Sequence, residues 1–369
     1  MLNLRDRLLR IKSASKNTEE PIIQPLMPFN AGNIDENKKT IPFFTEILQG
    51  TQKRTVRLPL EKRVMDLSHK DLPVIIPDLF TYPHKLQAEN IVFFDLETTG
   101  LSGGAGTVAF LAAFGKFVCD ATVLEVEQYL LDDYSGETGF IETILEHCRG
   151  PKKIIVTYNG KSFDSQILKT RCIMNGKHPP EFFHADLLHP ARCLWKRKIE
   201  SCSQSGIEKN ILNIERKDDV PGSLAPEIWF SFLRTGATKE LLGICDHNVR
   251  DIQGLASIFT ALTQIVQDPC HFSEVYNVDM EALAFRYRRC NNGGVSSVQN
   301  TLMESAALSG GTKAARYIAI IEEWQRKDYE TALFWTQTAL LDNKLNSSEK
   351  ADFLKREARL IRKRGTLGK

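Results

Sequence analysis

The stretch IVFFDLETTG, Ile91 to Gly100, joins a short apolar run to two carboxylates and a polar turn. Ile91 to Asp95 reads as a buried strand, rich in branched and aromatic side chains and stopped by a charge. A strand repeats every two residues, so Asp95 and Glu97 point to the same face, roughly 6 to 7 Å apart at Cα. Two like charges at that range repel, and burying both unpaired is costly. Two arrangements answer this. Either a divalent cation lies between them, or one acid is exposed and the other caps the turn TTGLSGG.

A chain of 369 residues has room for roughly two or three domains. Its 42% hydrophobic and 25% charged residues are ordinary for a soluble globular protein, and a net charge of +2 gives no global field for nucleic acid. The charge is unevenly spread. Residues 350–369 carry eight Lys and Arg against Asp352 and Glu357, a local +6 that either meets phosphates or forms a solvated helix face. The eight cysteines stand at least nine residues apart, which excludes zinc-ligand spacing and suits small buried apolar groups. The start MLNLRDRLLRIKSASK has no apolar signal core, and no apolar run approaches the length of a membrane span. The expectation is a cytoplasmic protein with no membrane partner.

Along the chain, residues 1–14 form either a basic amphipathic helix or a loose tail, and 1–87 as a whole reads as an N-terminal arm, mostly irregular. Three strand-like segments follow, IVFFDLE, TVAFLAAFGKFV and ATVLEVEQYLL. Then come a helix over 137–148, a strand in KKIIVTYNG, and helices over 163–175, 189–198 and 240–267. This order predicts an α/β or α+β domain with a mixed sheet over 88–268. Beyond 271 the pattern is helical only. ARYIAIIEEWQRKDYETALFWTQTALL reads as two helices broken at Lys327-Asp328, with Tyr329, Ala332 and Ala339 where a tetratricopeptide-like unit has them. Residues 269–369 are therefore expected to be a helical, tetratricopeptide-like module with a basic tail, a surface suited to a protein partner.

Two glycine motifs fail on context. GAGTVA, Gly104 to Ala109, satisfies the dinucleotide fingerprint formally, but it follows a polar turn and precedes a strand rather than a helix. NGKS, Asn159 to Ser162, ends like a phosphate-binding loop, yet Ile155 stands where the first glycine is required. The acidic residues carry more. In YNGKSFDSQIL, Asn159 ends a strand and Asp164 begins a helix; in HNVRDIQGLASIF, His247 and Asp251 are one turn apart on one helix face. Asp95, Glu97, Asp164 and Asp251 are oxygen ligands of the kind that hold Mg²⁺ or Mn²⁺. Four suffice for two ions flanking the attacking and leaving oxygens of a phosphodiester.

D-x-E at a strand end, N-x₃-F-D, then H-x₃-D, in that order, resembles the three motifs of the DEDD exonucleases of the ribonuclease-H-like superfamily. FFDLETTGLSGGAGTVAFL, TYNGKSFDSQIL, DLLHPARCLW, DDVPG and HNVRDI are most similar to the YprB-like family of predicted bacterial exonucleases. The resemblance implies a ribonuclease-H-like mixed sheet flanked by helices, with 3′–5′ hydrolysis of single-stranded DNA or RNA ends by two metal ions. It implies metal-binding roles for Asp95, Glu97, Asp164 and Asp251, and for His247 the place of the group that orients or deprotonates the attacking water. The histidine stands at H-x₃-D, the spacing at which relatives carry tyrosine, whereas their histidine type reads H-x₄-D. Thr98, Thr99, Gly100 and Leu101 match the turn that meets the terminal nucleotide, and Asn159 lies beside it in the expected site. Arg192, followed by Lys196, Arg197 and Lys198, either holds phosphates or belongs to a solvated face, and Asp186 is either a neighbouring acid or a turn cap. A structure-specific endonuclease and a non-catalytic binding scaffold remain as alternative functions on the same fold.

Overall fold

The computed structural model describes residues 40–60, 64, 66–100, 104–217, 219–290, 297–343 and 345–367. The possible helix at 1–14 lies outside them. Seven strands run in chain order as β1 (Thr45–Leu48), β2 (Thr51–Pro59), β3 (Ile91–Thr98), β4 (Ala109–Val118), β5 (Val123–Leu131), β6 (Ile154–Thr157) and β7 (Phe183–Asp186). The helices are α1 (Leu72–Ile75), α2 (Glu137–Cys148), α3 (Asp164–Met174), α4 (Leu188–Trp195), α5 (Gln204–Asn210), α6 (Ala225–Thr235) and α7 (Lys239–Gln267). They continue as α8 (Pro269–Val275), α9 (Met280–Cys290), α10 (Ser297–Leu308), α11 (Thr312–Ile321), α12 (Tyr329–Leu340) and α13 (Ser347–Leu367). None of the described helices is long and apolar enough to cross a membrane.

The chain divides into two compact units, the first made of 1–63, 84–186 and 213–257, the second of 64–83, 187–212 and 258–369. In the first, one mixed sheet has the order β1-β2-β5-β4-β3-β6-β7, with β6 and β7 parallel to β3 and the other neighbours antiparallel. The expected sheet flanked by helices is therefore present. Its central strand β3 is buried along its apolar run because both of its faces are covered and both of its edges are paired there. Pairing with β6 covers only Ile91 to Phe93, so Asp95 and Glu97 lie on a stretch of β3 that only β4 accompanies.

Two boundaries differ from expectation. The arm read over 1–87 includes β1 and β2, and β2 pairs with β5 along its whole length, from Thr51–Leu131 to Pro59–Val123. TQKRTVRLP buries polar Thr51 and Gln52 and alternates half-buried with exposed residues only from Arg54 on, so it forms no apolar run; a strand of this kind is held by its neighbour and leaves little signal of its own. Nor is 88–268 one uninterrupted domain, because Leu187–Leu212 and the chain from Ile258 group with the second unit. There the Trp195 indole N–H donates to the Tyr276 carbonyl over 2.9 Å, and the Asp279 N–H donates to the Leu194 carbonyl over 2.9 Å. Arg286, also buried, donates to the carbonyls of Val74 and Ile75 and so ties 64–83 to α9. Contacts between residues so distant in sequence have no local periodicity to announce them.

The helical hairpin near the C-terminus follows expectation. α11 passes through a single π-turn at Glu322–Arg326, Lys327 takes a left-handed φ of 59°, and the Asp328 side chain caps α12 by accepting from the Thr331 N–H. All eight cysteines are free thiols; Cys148, Cys172 and Cys245 are buried, while Cys119 is exposed.

In the first unit, α7 lies on the sheet face that carries Phe93, Asp95 and Glu97. Gly115 on β4, opposite Phe93, makes this possible: a Cβ there would stand 2.4 Å from Ile252 Cγ2 of α7 and 3.3 Å from Phe93 Cβ. On the opposite face, Phe94 stacks on Phe114 at 4.9 Å, and Phe114 on His147 of α2 at 4.3 Å. Gly115→Ala is therefore expected to lower unfolding free energy by about 1–3 kcal/mol through overpacking. In urea titrations, Gly115→Ala combined with Ile252→Ala should cost less than the sum of the two single changes.

Candidate metal and catalytic site

The end of β3, the start of α3 and the middle of α7 converge on one cavity of about 330 Å³ in the first unit. Asp95, Glu97, Asp164, His247 and Asp251 all line it, as do Thr98, Gly100 and Asn159. Strand alternation puts Asp95 and Glu97 on one face, and helical spacing puts His247 and Asp251 on one side of α7, as anticipated. One ligand atom from each of Glu97, His247 and Asp251 lies within 4.8 Å of the others. Asp164, only 5% exposed, enters from the first turn of α3.

The other residues expected at the site divide. Thr98 donates its hydroxyl hydrogen to the Gly100 carbonyl at 2.9 Å, fixing the turn. Thr99 instead spends its backbone N–H on the Val108 carbonyl and accepts the Val108 N–H at its hydroxyl, both at 2.9 Å, so it closes the β3–β4 connection. The pleat explains this, since Thr98 and Thr99 must diverge. Leu101 lies outside the described residues. Arg192 is exposed on α4, in the second unit. Asp186 caps a turn: its carboxylate accepts the N–H of Asn159 at 2.8 Å and of Lys161 at 3.1 Å, holding Asn159 at a left-handed φ of 65°. Gly160 is required there, because a Cβ would meet the Thr157 side chain at 2.5 Å.

The carboxylates disturb one another. Burial pushes Asp95 well above the ordinary carboxylate range, and the charges of Asp251, Asp164 and Glu97 add to it. Burial likewise raises Glu97 to about 8, although the nearby His247 charge opposes the shift. Asp164 is raised to about 7 by burial, against hydrogen bonds from the backbone of Asp164 and Leu96. Such a set of oxygen donors, recessed and mutually repelling, fits divalent cations of the Mg²⁺ or Mn²⁺ kind.

Five side chains that the motifs did not assign, Asn248, Gln128, Asp219, Arg216 and Arg250, complete the site. Asn248, fully buried, donates to Asp95 Oδ2 at 2.7 Å. It is held in turn by Gln128 of β5, whose Nε2 donates to Asn248 Oδ1 at 2.9 Å and to the Cys245 carbonyl at 2.7 Å. Asp219 Oδ1 accepts from His247 Nδ1 at 2.8 Å, while His247 Nε2 stands 3.2 Å from Asp251 Oδ2. Arg216 Nη2 donates to Asp251 Oδ1 at 2.7 Å, and Arg250 Nη1 donates to Asp219 Oδ1 at 3.1 Å. Burial opposes the ionisation of Asp219, yet His247, Arg216 and Arg250 bring it down to about 2. Burial also disfavours the charged imidazole of His247, but the hydrogen bond to Asp219 and the charges of Asp251, Glu97 and Asp219 raise its pKa overall. Asn248 and Arg250 lie within HNVRD and Asp219 within DDVPG, whereas Gln128 and Arg216 belong to no motif read from the sequence.

The RNase_H superfamily profile matches residues 92–263. YprB of Bacillus subtilis (strain 168) is 31% identical over 356 residues, which covers 84% of this chain and 85% of YprB. Two solved structures of Escherichia coli exonuclease I also align. One, in complex with a dT13 oligonucleotide, has 18% identity and a TM-score of 0.29 over 42% of each chain. The other, a zinc-bound complex with ssDNA, has 16% identity and a TM-score of 0.33, over 54% of this chain and 45% of that one.

The pKa shifts fix a sign for stability. Asp95, Glu97 and Asp164 bind protons more tightly folded than unfolded, so stability falls as pH rises from the ordinary carboxylate range through the folded values, about 7 for Asp164 and about 8 for Glu97. His247, also raised, contributes stability that is present below its ordinary value and lost as pH rises through the folded one. Both act in the same direction. Thermal denaturation in EDTA should therefore give a higher Tm at about pH 6 than at about pH 8.5, and excess Mn²⁺ should raise Tm more at the higher pH, where fewer protons compete. A pH-independent response to Mn²⁺ would show that the ion binds elsewhere.

Proposed function

The chain belongs to the YprB family and carries a nuclease-type domain of the RNase_H superfamily, and from that premise we propose that it is a metal-dependent 3′–5′ exonuclease acting on single-stranded DNA or RNA ends. The observation that carries this reading is the convergence of Asp95, Glu97, Asp164 and Asp251 with His247 on one recessed cavity. The four carboxylates would hold two Mg²⁺ or Mn²⁺ ions, which when bound supply charge stabilisation to a phosphodiester and lower the pKa of the attacking water.

The remaining steps belong to the chain's own residues. Asp219 takes the Nδ1–H of His247, which leaves Nε2 toward the cavity, where a neutral imidazole accepts a proton from water. Asn248 fixes the carboxylate plane of Asp95 through Oδ2. Arg216 donates to Asp251 Oδ1 and holds that carboxylate at the cavity. Cationic charge placed among the acids favours the neutral form of His247, the form a base requires. Thr98 and Gly100 form the turn against which the terminal nucleotide rests, by similarity to the DEDD exonucleases.

End-labelled single- and double-stranded DNA and RNA, digested with Mn²⁺ or Mg²⁺, test the proposal. A ladder shortening from the 3′ end of single strands is expected, and EDTA should abolish it. Internal cuts would instead favour a structure-specific endonuclease, and intact substrate under all conditions a binding scaffold. Asp95→Asn and Asp164→Asn should each abolish cleavage with Tm unchanged or raised, because each relieves repulsion. Cleavage at the wild-type rate by either variant would remove that acid from the site.

His247→Ala is expected to lower kcat by about 10²-fold, near the lower end for general bases because bound cations already acidify water. Asp219→Asn should cost about 10–100-fold in kcat with little change in KM, since it disturbs the tautomer and orientation of the imidazole rather than substrate contacts. If Asp219→Asn cleaves as fast as wild type, the Asp219–His247 contact serves packing alone.

A further inference from the structure

The C-terminal charge is not uniformly solvated. Glu323, on the π-turn and with 0% exposure, accepts from Arg356 at 2.7 Å, from Arg359 through two hydrogen bonds at 2.8 Å, and from Lys363 at 2.9 Å. These hydrogen bonds bring Glu323 down to about 2 although burial opposes ionisation. Three cations on one carboxylate leave a surplus at that point. Beside them Arg316, Asp352, Phe353 and Lys355 complete, with Arg356 and Arg359, the lining of a cavity of about 200 Å³. Arg316 and Lys355 are exposed and have no carboxylate partner among the described residues. The whole group sets five cations against Glu323 and Asp352, so it lacks an anion.

We propose that this cleft binds a phosphodiester of a nucleic-acid strand, with the neighbouring Trp324 as the platform for a base; this rests on the nuclease reading for the identity of the anionic polymer. Arg356 and Arg359 are held in place by Glu323 before any ligand arrives, which reduces the rotamer entropy lost on binding. Arginine forks suit phosphate oxygens, and Arg316 and Lys355 supply charge from the rim. Trp324 is 54% exposed, and Lys363 reaches from Glu323 to lie 4.3 Å from its ring centroid. An exposed indole beside a cationic cleft is the combination that single-stranded segments use, phosphate on charge and base on ring. An acidic peptide would use the charges and leave the indole idle.

Fluorescence anisotropy on the full chain, in EDTA so that no cleavage occurs, tests this with a labelled oligo(dT) of about 20 nucleotides, a length that spans several phosphates. Arg316→Ala/Lys355→Ala removes two unpaired exposed cations and spares the Glu323 network. It should weaken binding by roughly tenfold at low salt and reduce the slope of log K against log salt by about 1.4. Trp324→Ala should weaken oligo(dT) binding about fivefold or more and leave dextran sulfate, an anion without bases, unaffected. Unchanged affinity and slope in the double variant would overturn the proposal, as would wild-type protein that does not bind oligo(dT). So would variants that lose a poly-glutamate peptide but keep the oligonucleotide. The two readings fail separately. Cleavage in Mn²⁺ with an unaltered salt slope removes the cleft alone, whereas cleft-dependent binding without cleavage removes the nuclease reading alone.

Discussion

Repulsion among Asp95, Glu97, Asp164 and Asp251 is the constraint to which the first unit answers. Carboxylates gathered in a recessed cavity are tolerated only if protons, cations or hydrogen-bond donors compensate them. Asn248 compensates Asp95, backbone N–H groups compensate Asp164, and Arg216 with His247 compensates Asp251. The polar chain Gln128–Asn248–Asp95 crosses from β5 through α7 to β3, all within the first unit, and two of its members are fully buried. A network of that kind specifies orientation as well as affinity, because each donor has one direction available.

The geometry also depends on a missing side chain. Gly115 lets Ile252 sit against the sheet, and the same helix then presents His247, Asn248 and Asp251 to the end of β3. One helix serves two purposes, with Ile252 and Leu255 in the core and the acid and imidazole at the cavity. The x₃ spacing of His247 and Asp251 places the ring one turn before the acid, which brings Nε2 to 3.2 Å from Asp251 Oδ2. The opposite ring nitrogen is taken by Asp219, from the loop before α6.

In the second unit the signs are reversed. A single buried carboxylate, Glu323, gathers Arg356, Arg359 and Lys363, so α13 is anchored to the π-turn by charge and to α12 by the apolar cluster of Ala332, Leu333 and Leu360. Buried ion pairs of this sort contribute specificity of geometry more dependably than net stability. The local +6 of residues 350–369 is thus partly spent inside the protein, while Lys355 stays exposed at the rim of the cleft.

Much of the site was legible in the sequence because it rests on local periodicity. A two-residue repeat aligns Asp95 with Glu97, a helical turn aligns His247 with Asp251, and short apolar runs mark β3 and β6. The hairpin break at Lys327-Asp328 was legible for the same reason, as a left-handed residue followed by a cap. What only the tertiary structure decided are the contacts that have no period. β2 is a strand because β5 offers it nine paired residues, although its own sequence is half polar. Asp219 meets His247 across 28 residues and Asn248 meets Asp95 across 153, and Thr99 turns away from the cavity to bond Val108. Local spacing determines which face a side chain takes; which other face it meets is settled by the close packing of distant segments, here α7 against β4 at Gly115.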